Sequence, residues 1–89
     1  MKAVVTVVGK DTVGILSKIS TVCAENQMNV VEVSQSILQD MFCMIMLVEI
    51  SKDAKRMDEI VEGLNKLGEE MGLSIHMQRE ELFQSMHRI

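Results

Sequence analysis

Proline, tryptophan and tyrosine are absent from the 89 residues, and Phe42 and Phe83 are the only aromatics. A sheet that stacks nucleic-acid bases on its central strands needs aromatics there, so an RNA-recognition role is disfavoured. Nine Lys and Arg against thirteen Asp and Glu leave a formal charge of −4, which argues against phosphate backbones and anionic lipid as partners. Only two cysteines occur, Cys23 and Cys43, without paired spacing, so a reducing compartment is expected and no disulfide framework. Long hydrophobic runs are missing as well. The longest, Met41 to Val48, falls far short of the roughly 18 residues of a membrane span, and Met1 to Val8 lacks a signal-peptide layout. These absences predict a soluble, cytoplasmic protein with no nucleic-acid or membrane partner.

What is present is a 47% hydrophobic chain long enough for a single core, so residues 1–89 are expected to form one domain. No linker or low-complexity segment interrupts it. Scaling of surface with mass leaves about 5,200 Å² exposed and roughly 64% of the unfolded surface buried, a modest core that favours oligomerisation.

Periodicity divides the chain into elements. Lys2 to Val8 is mostly β-branched and reads as a buried strand ending in a turn at Gly9. Asp11 or Thr12 can cap a helix whose apolar positions Ile15, Leu16, Ile19, Val22 and Cys23 keep helical spacing and stop near Glu25. Val30, Val31, Val33 and Ile37 then mix with polar residues, as suits a sheet edge or subunit contact. Beyond a turn at Gln39-Asp40 that lacks the usual glycine, Met41 to Ile50 is apolar on both faces and reads as a central strand. Met57, Ile60, Val61, Leu64, Leu67 and Met71 form a second helical stripe, with Gly72 placed to end it. Gly63 and Gly68 inside that helix call for close packing on the sheet or, alternatively, mark a frayed C-terminal turn. Leu73, Ile75 and Met77 alternate with polar residues as a last strand, and Leu82, Phe83, Met86 and Ile89 return to helical spacing.

The order is strand, helix, strand, strand, helix, strand, then a short C-terminal helix over about 81–89. Right-handed crossovers place the first and third strands centrally in a four-stranded antiparallel sheet with both helices on one face. This is an α+β, ferredoxin-like βαββαβ sandwich with a core over about residues 1–80. If one face of Val4, Val8, Met44, Met46 and Val48 packs on the helices, the opposite apolar face is left bare. A second subunit or the C-terminal helix would cover it, which predicts a homodimer.

Several chemistries lack their residues. A thiolate metal site needs closely spaced cysteines, whereas Cys23 lies in a helix and Cys43 in a strand, as small core residues do. A phosphate cradle in the first loop needs arginine, and none precedes Arg56. His76 and His87 have no partners at ligand or base–nucleophile spacing. The nine methionines sit mainly at core positions, with Met44 and Met46 also able to supply a subunit contact. Asp58, Glu59, Glu62, Glu69 and Glu70 read as solvated helix faces. No metal, cofactor or catalytic group is expected, and the chain reads as non-enzymatic.

One segment is suited to binding. In Gly9-Lys10-Asp11-Thr12-Val13-Gly14-Ile15-Leu16 a strand turns into a helix, whose first-turn N–H groups carry the positive end of the dipole and can receive a carboxylate. Gly14 leaves the approach open, Asp11 can meet an ammonium group, and Asn29 offers donor and acceptor. The alternative is structural: Asp11 or Thr12 caps the helix, and Gly14 permits tight packing.

The run G-K-D-T-V-G-I-L followed by Asn29-Val30 resembles the first loop, helix and second-strand start of ACT domains, regulatory modules that often bind amino acids. The resemblance extends through V-S-Q-S-I-L and the terminal M-H-R-I to the small stand-alone ACT-domain proteins of bacteria and archaea. It implies a dimer holding a ligand where the first loop of one subunit faces the second strand of the other, with the motif's Asp at Asp11, its Gly at Gly14 and its Asn at Asn29. The expected ligand residues are therefore Lys10, Asp11, Thr12, Val13, Gly14, Ile15 and Asn29, the expected ligand is an amino acid, and the output passes to a separate protein. The competing reading is a ligand-free interaction module that uses the second strand, or Leu82, Phe83 and Met86, to hold a partner.

Overall fold

The computed structural model describes residues 1–10, 13–51 and 57–81. Within them lie β1 (Lys2–Lys10), α1 (Ile15–Glu25), β2 (Met28–Leu38), β3 (Met41–Ile50), α2 (Met57–Met71) and β4 (Leu73–Arg79). The strands form one antiparallel sheet in the order β2-β3-β1-β4, so the expected βαββαβ sandwich is present with the first and third strands central. Residues 82–89, with Leu82, Phe83, Met86, His87 and Ile89 of the expected C-terminal helix, lie outside the described residues, as do Asp11 and Thr12.

Register decides which side chains meet. Val5 opposes Met46 and Val7 opposes Met44, and these residues lie wholly or almost wholly buried with Ile19, Cys23, Ile60 and Leu64 from the two helices. Val4 opposes Leu47 and Val8 opposes Cys43, which puts them on the other face of the sheet. The expected grouping of Val4 and Val8 with Met44, Met46 and Val48 is thus wrong by one residue of phase. Met44 and Met46 are spent under the helices and supply no subunit contact.

The second face carries Val8, Met41 and Ile45, each close to half exposed, between polar rows of Ser74, His76 and Gln78 on β4 and Glu32, Ser34 and Ser36 on β2. Strand β2 is an edge, as its mixed sequence predicts, and residues 31–38 are all exposed. A bulge between Val30 and Glu32 shifts its phase, so Met28 and Val30 before it and Val33 and Ile37 after it share the helix side. That accounts for the imperfect alternation of this segment.

Four glycines are set apart by their neighbours or their backbone conformation. Gly9 stays inside β1, where no turn occurs: a Cβ there would stand 2.5 Å from Leu73 Cδ2 and 3.1 Å from the Gly72 oxygen. Gly68 is buried under β4, as close packing requires, but Gly63 is exposed and a Cβ on it would meet nothing within 4 Å. Gly72, at φ 69, ends α2 in the expected left-handed conformation. The β2–β3 turn holds two residues despite its lack of glycine, because Gln39 itself takes φ 59.

Candidate functional site

Strand β1 delivers Lys10 to the rim of the sheet, and α1 starts at Ile15 rather than directly after Asp11 or Thr12. The N-cap is Gly14, at φ 85, whose carbonyl accepts the Lys18 N–H at 3.0 Å and which has no side chain to cap the helix. This conformation favours glycine. A Cβ on Gly14 would meet nothing within 4 Å, so no other described part of this chain packs tightly on it. No acidic residue occupies the first turn of α1, where the positive end of its dipole lies. Val13 is 97% exposed, whereas Ile15 is buried and anchors the helix to the core.

Asn29 is exposed but sits elsewhere. It opposes Glu49, which opposes Lys2 on its other side, at the end of the sheet remote from Lys10. Eight residues of strand separate the two ends, about 27 Å. One chain therefore does not bring Asn29 to the first loop.

Beside Lys10 the fold instead places residues that spacing alone does not suggest. Lys10 opposes Met41, and Met41 opposes Leu38, so the three share the helix-free face in one row across β1, β3 and β2. With the turn residues Gln39 and Asp40 they line a shallow, open cleft of about 380 Å³. Among the described residues neither the Lys10 ammonium nor the Asp40 carboxylate has a hydrogen-bonding or ionic partner. Their signal was the hairpin register, which sets Leu38 against Met41.

The remaining polar groups are dispersed. Ser74 Oγ and His76 Nε2 share a 3.1 Å hydrogen bond on exposed β4. Cys23 is buried and desolvation pushes its thiol pKa up, while Cys43 is half-buried on the second face. Asp58, Val61, Glu62, Asn65, Lys66 and Glu69 line a shallow hollow of about 460 Å³ along α2, the solvated face expected there. Among the described residues no three His, Cys, Asp or Glu side chains are placed to hold a metal ion, and no helix is long and apolar enough to cross a membrane.

Comparison with known proteins supplies the family. Residues 2–78 match the family model of the ACT domain. The chain is 46% identical over 89 residues to the UPF0237 protein of Listeria innocua, covering 100% of both. It is 46% identical over 86 residues to the UPF0237 protein of Methanococcus maripaludis, 97% of this chain and 96% of that one. Among solved structures, the ACT domain protein from Streptococcus pneumoniae superimposes with a TM-score of 0.81 at 31% identity, covering 93% of each chain. Sequence, strand order and backbone agree over nearly the whole length, and the chain belongs to the ACT-domain family of regulatory, ligand-binding modules.

Proposed function

We propose that this chain is a homodimeric, non-enzymatic sensor of the cytoplasm that binds an amino acid beside Lys10, Asp11, Thr12, Val13, Gly14, Ile15 and Asn29 and reports occupancy to a separate protein. The observation that carries the reading is the open, left-handed Gly14 at the start of α1 in a chain of this family. Because Asn29 lies at the far end of its own sheet, it joins the loop only from a second subunit. Two β2 edges paired antiparallel about a two-fold axis would carry Asn29 of one chain toward the Leu38 end of the other. A ligand spanning that junction favours one dimer geometry, and coupling of about 1–3 kcal/mol to partner affinity is the usual scale.

A thermal-shift screen against the amino acids, confirmed by calorimetry, tests this. A ligand at a hundredfold excess over Kd stabilises by about 2.7 kcal/mol, several degrees for a domain of this size. Gly14→Val tests the loop but strains a backbone at φ 85, so Gly14→Asn, which tolerates that conformation, is the paired control. Loss of binding in both variants, with the Gly14→Asn dimer intact, is expected. Equal binding by wild type and both variants would remove the loop from the site, and a monodisperse monomer at micromolar concentration in sedimentation would remove the dimer.

The second reading, a ligand-free interaction module, draws on Val33, Ile37 and Leu38 of the edge strand, all exposed beside unpaired backbone. Val33→Lys with Ile37→Lys tests it: loss of partner capture by these substitutions, in a chain whose wild type binds no amino acid in the thermal-shift screen, favours the interaction module.

A further inference from the structure

We infer that the helix-free face of the sheet is the docking surface for the chain's own C-terminal segment, residues 80–89, which crosses the Val4 end of that face as a third helix. The inference is independent of the amino-acid reading and opposes the use of Leu82, Phe83 and Met86 to hold a separate partner. It starts from the uneven burial of one face. Val4 and Val8 lie on the same strand and point away from both helices, yet Val4 is 6% exposed and Val8 43%. Among the described residues, Val4 is the one buried hydrophobic side chain that stands outside the core cluster. Leu47 and Gln78, which flank it on β3 and β4, are half-buried too, whereas His76 and Ile45 in the next row and Ser74 beside Val8 are exposed. Neighbouring strands shield the sides of a side chain and not its top, so three adjacent side chains that lose water together are covered from above.

The occupant follows from where the chain goes. Arg79, the last residue of β4, pairs with Ala3, so the chain leaves the sheet beside Val4, and Glu80 and Glu81 are already helical. A helix over residues 80–89 measures about 15 Å. The gaps between the four strands add up to about 14 Å. One helix of that length therefore reaches from β4 to β2 across the row Gln78, Val4, Leu47 and Glu32. Leu82, Phe83 and Met86 keep the spacing of one helical stripe, which needs an apolar surface such as that of Val4 and Leu47. Charge runs in the same direction. The segment begins with Glu80 and Glu81 and nears its end with His87 and Arg88, while the face carries Lys2 on β1 and then Glu49 and Glu32 on β3 and β2. Seated in this way, the segment closes the Val4 end of the face to a second subunit and leaves Val8, Ile45 and Met41 as the open strip.

The test is NMR of the full-length protein. Nuclear Overhauser contacts are expected from the Phe83 ring to the methyl groups of Val4 and Leu47. Isotope-filtered spectra of labelled and unlabelled chains refolded together then separate a chain's own contacts from its partner's, and contacts confined to one chain uphold the inference. Contacts found only between chains overturn it, because the segment is then exchanged between subunits. Contacts from Val4 to the sheet of a second subunit, or none from Val4 to residues 82–89, overturn it likewise. Thiol labelling gives an independent measurement that does not rest on the fate of one variant. With Cys43→Ala removing the half-buried thiol, Val4→Cys should react about tenfold or more slowly than Val8→Cys. Adding Phe83→Ser should remove most of that protection while leaving the rate of Val8→Cys unchanged. Equal rates for the two probes, or protection of Val4→Cys that Phe83→Ser leaves intact, overturn the inference.

Discussion

A Cβ placed on Gly68 would stand 2.7 Å from the carbonyl oxygen of Leu73, so helix α2 and strand β4 meet there almost backbone to backbone. Neither partner atom is the end of a flexible side chain. Gly68→Ala should therefore destabilise the fold by about 1–3 kcal/mol despite alanine's better helix propensity. Gly63→Ala, in open space on the same helix, should gain about 1 kcal/mol. Urea midpoints of the two variants should move in opposite directions.

Gln39 occupies a left-handed turn position at φ 59. Gln39→Gly removes the Cβ conflict but adds backbone freedom to the unfolded chain, and Gln39→Asn keeps a side chain that tolerates this conformation. Both should raise stability, by up to about 1 kcal/mol, in thermal or urea unfolding. A loss on either substitution would show that the glutamine side chain compensates its own strain.

Cys23 is buried and its thiol is pushed above the ordinary value of 9.0 by desolvation. As pH rises past that value the unfolded chain releases its proton while the folded chain holds it, so stability falls on the alkaline side. Unfolding measured between about pH 8 and 10 should show this decline, and Cys23→Ala should flatten it. A thiol reagent at neutral pH should label half-buried Cys43 first and reach Cys23 only as the fold opens.

Ile45 and Met46 are neighbours on β3 with opposite fates, 45% and 0% exposed. Met46→Ala should cost about 2–5 kcal/mol by cavity formation. Ile45→Thr should change the stability of the monomer by only about 0.5 kcal/mol. Sedimentation of Ile45→Thr beside wild type then shows whether the second face joins subunits: a weakened dimer assigns the contact to it, and an unchanged dimer directs attention to the β2 edge.

Much of the fold was legible because the residues carry local physical signals. The β-branched start of β1, the apolar stripes of α1 and α2 and the two-sided apolar run of β3 each specify an element without reference to the rest of the chain. The glycine that ends α2 was equally readable. Less of the candidate site was legible. Gly14 could be picked out, yet its role as N-cap depended on where α1 begins, and Ile15 proved to be core. The pairing of Lys10 with Met41 and Leu38 left no mark in spacing.

By itself, then, the sequence determined the number and order of elements, the edge character of β2 and the family to which the chain belongs, since all of these reside in short-range pattern. Only the tertiary structure decided that Val4 and Val8 face away from the helices, that Asn29 lies at the opposite end of the sheet from Gly14, and that Asp40 borders the same cleft as Lys10. A strand such as β1 or β3, apolar on both faces, has no intrinsic phase. Its phase comes from the register with partner strands remote in sequence, and in β2 one bulge reverses it.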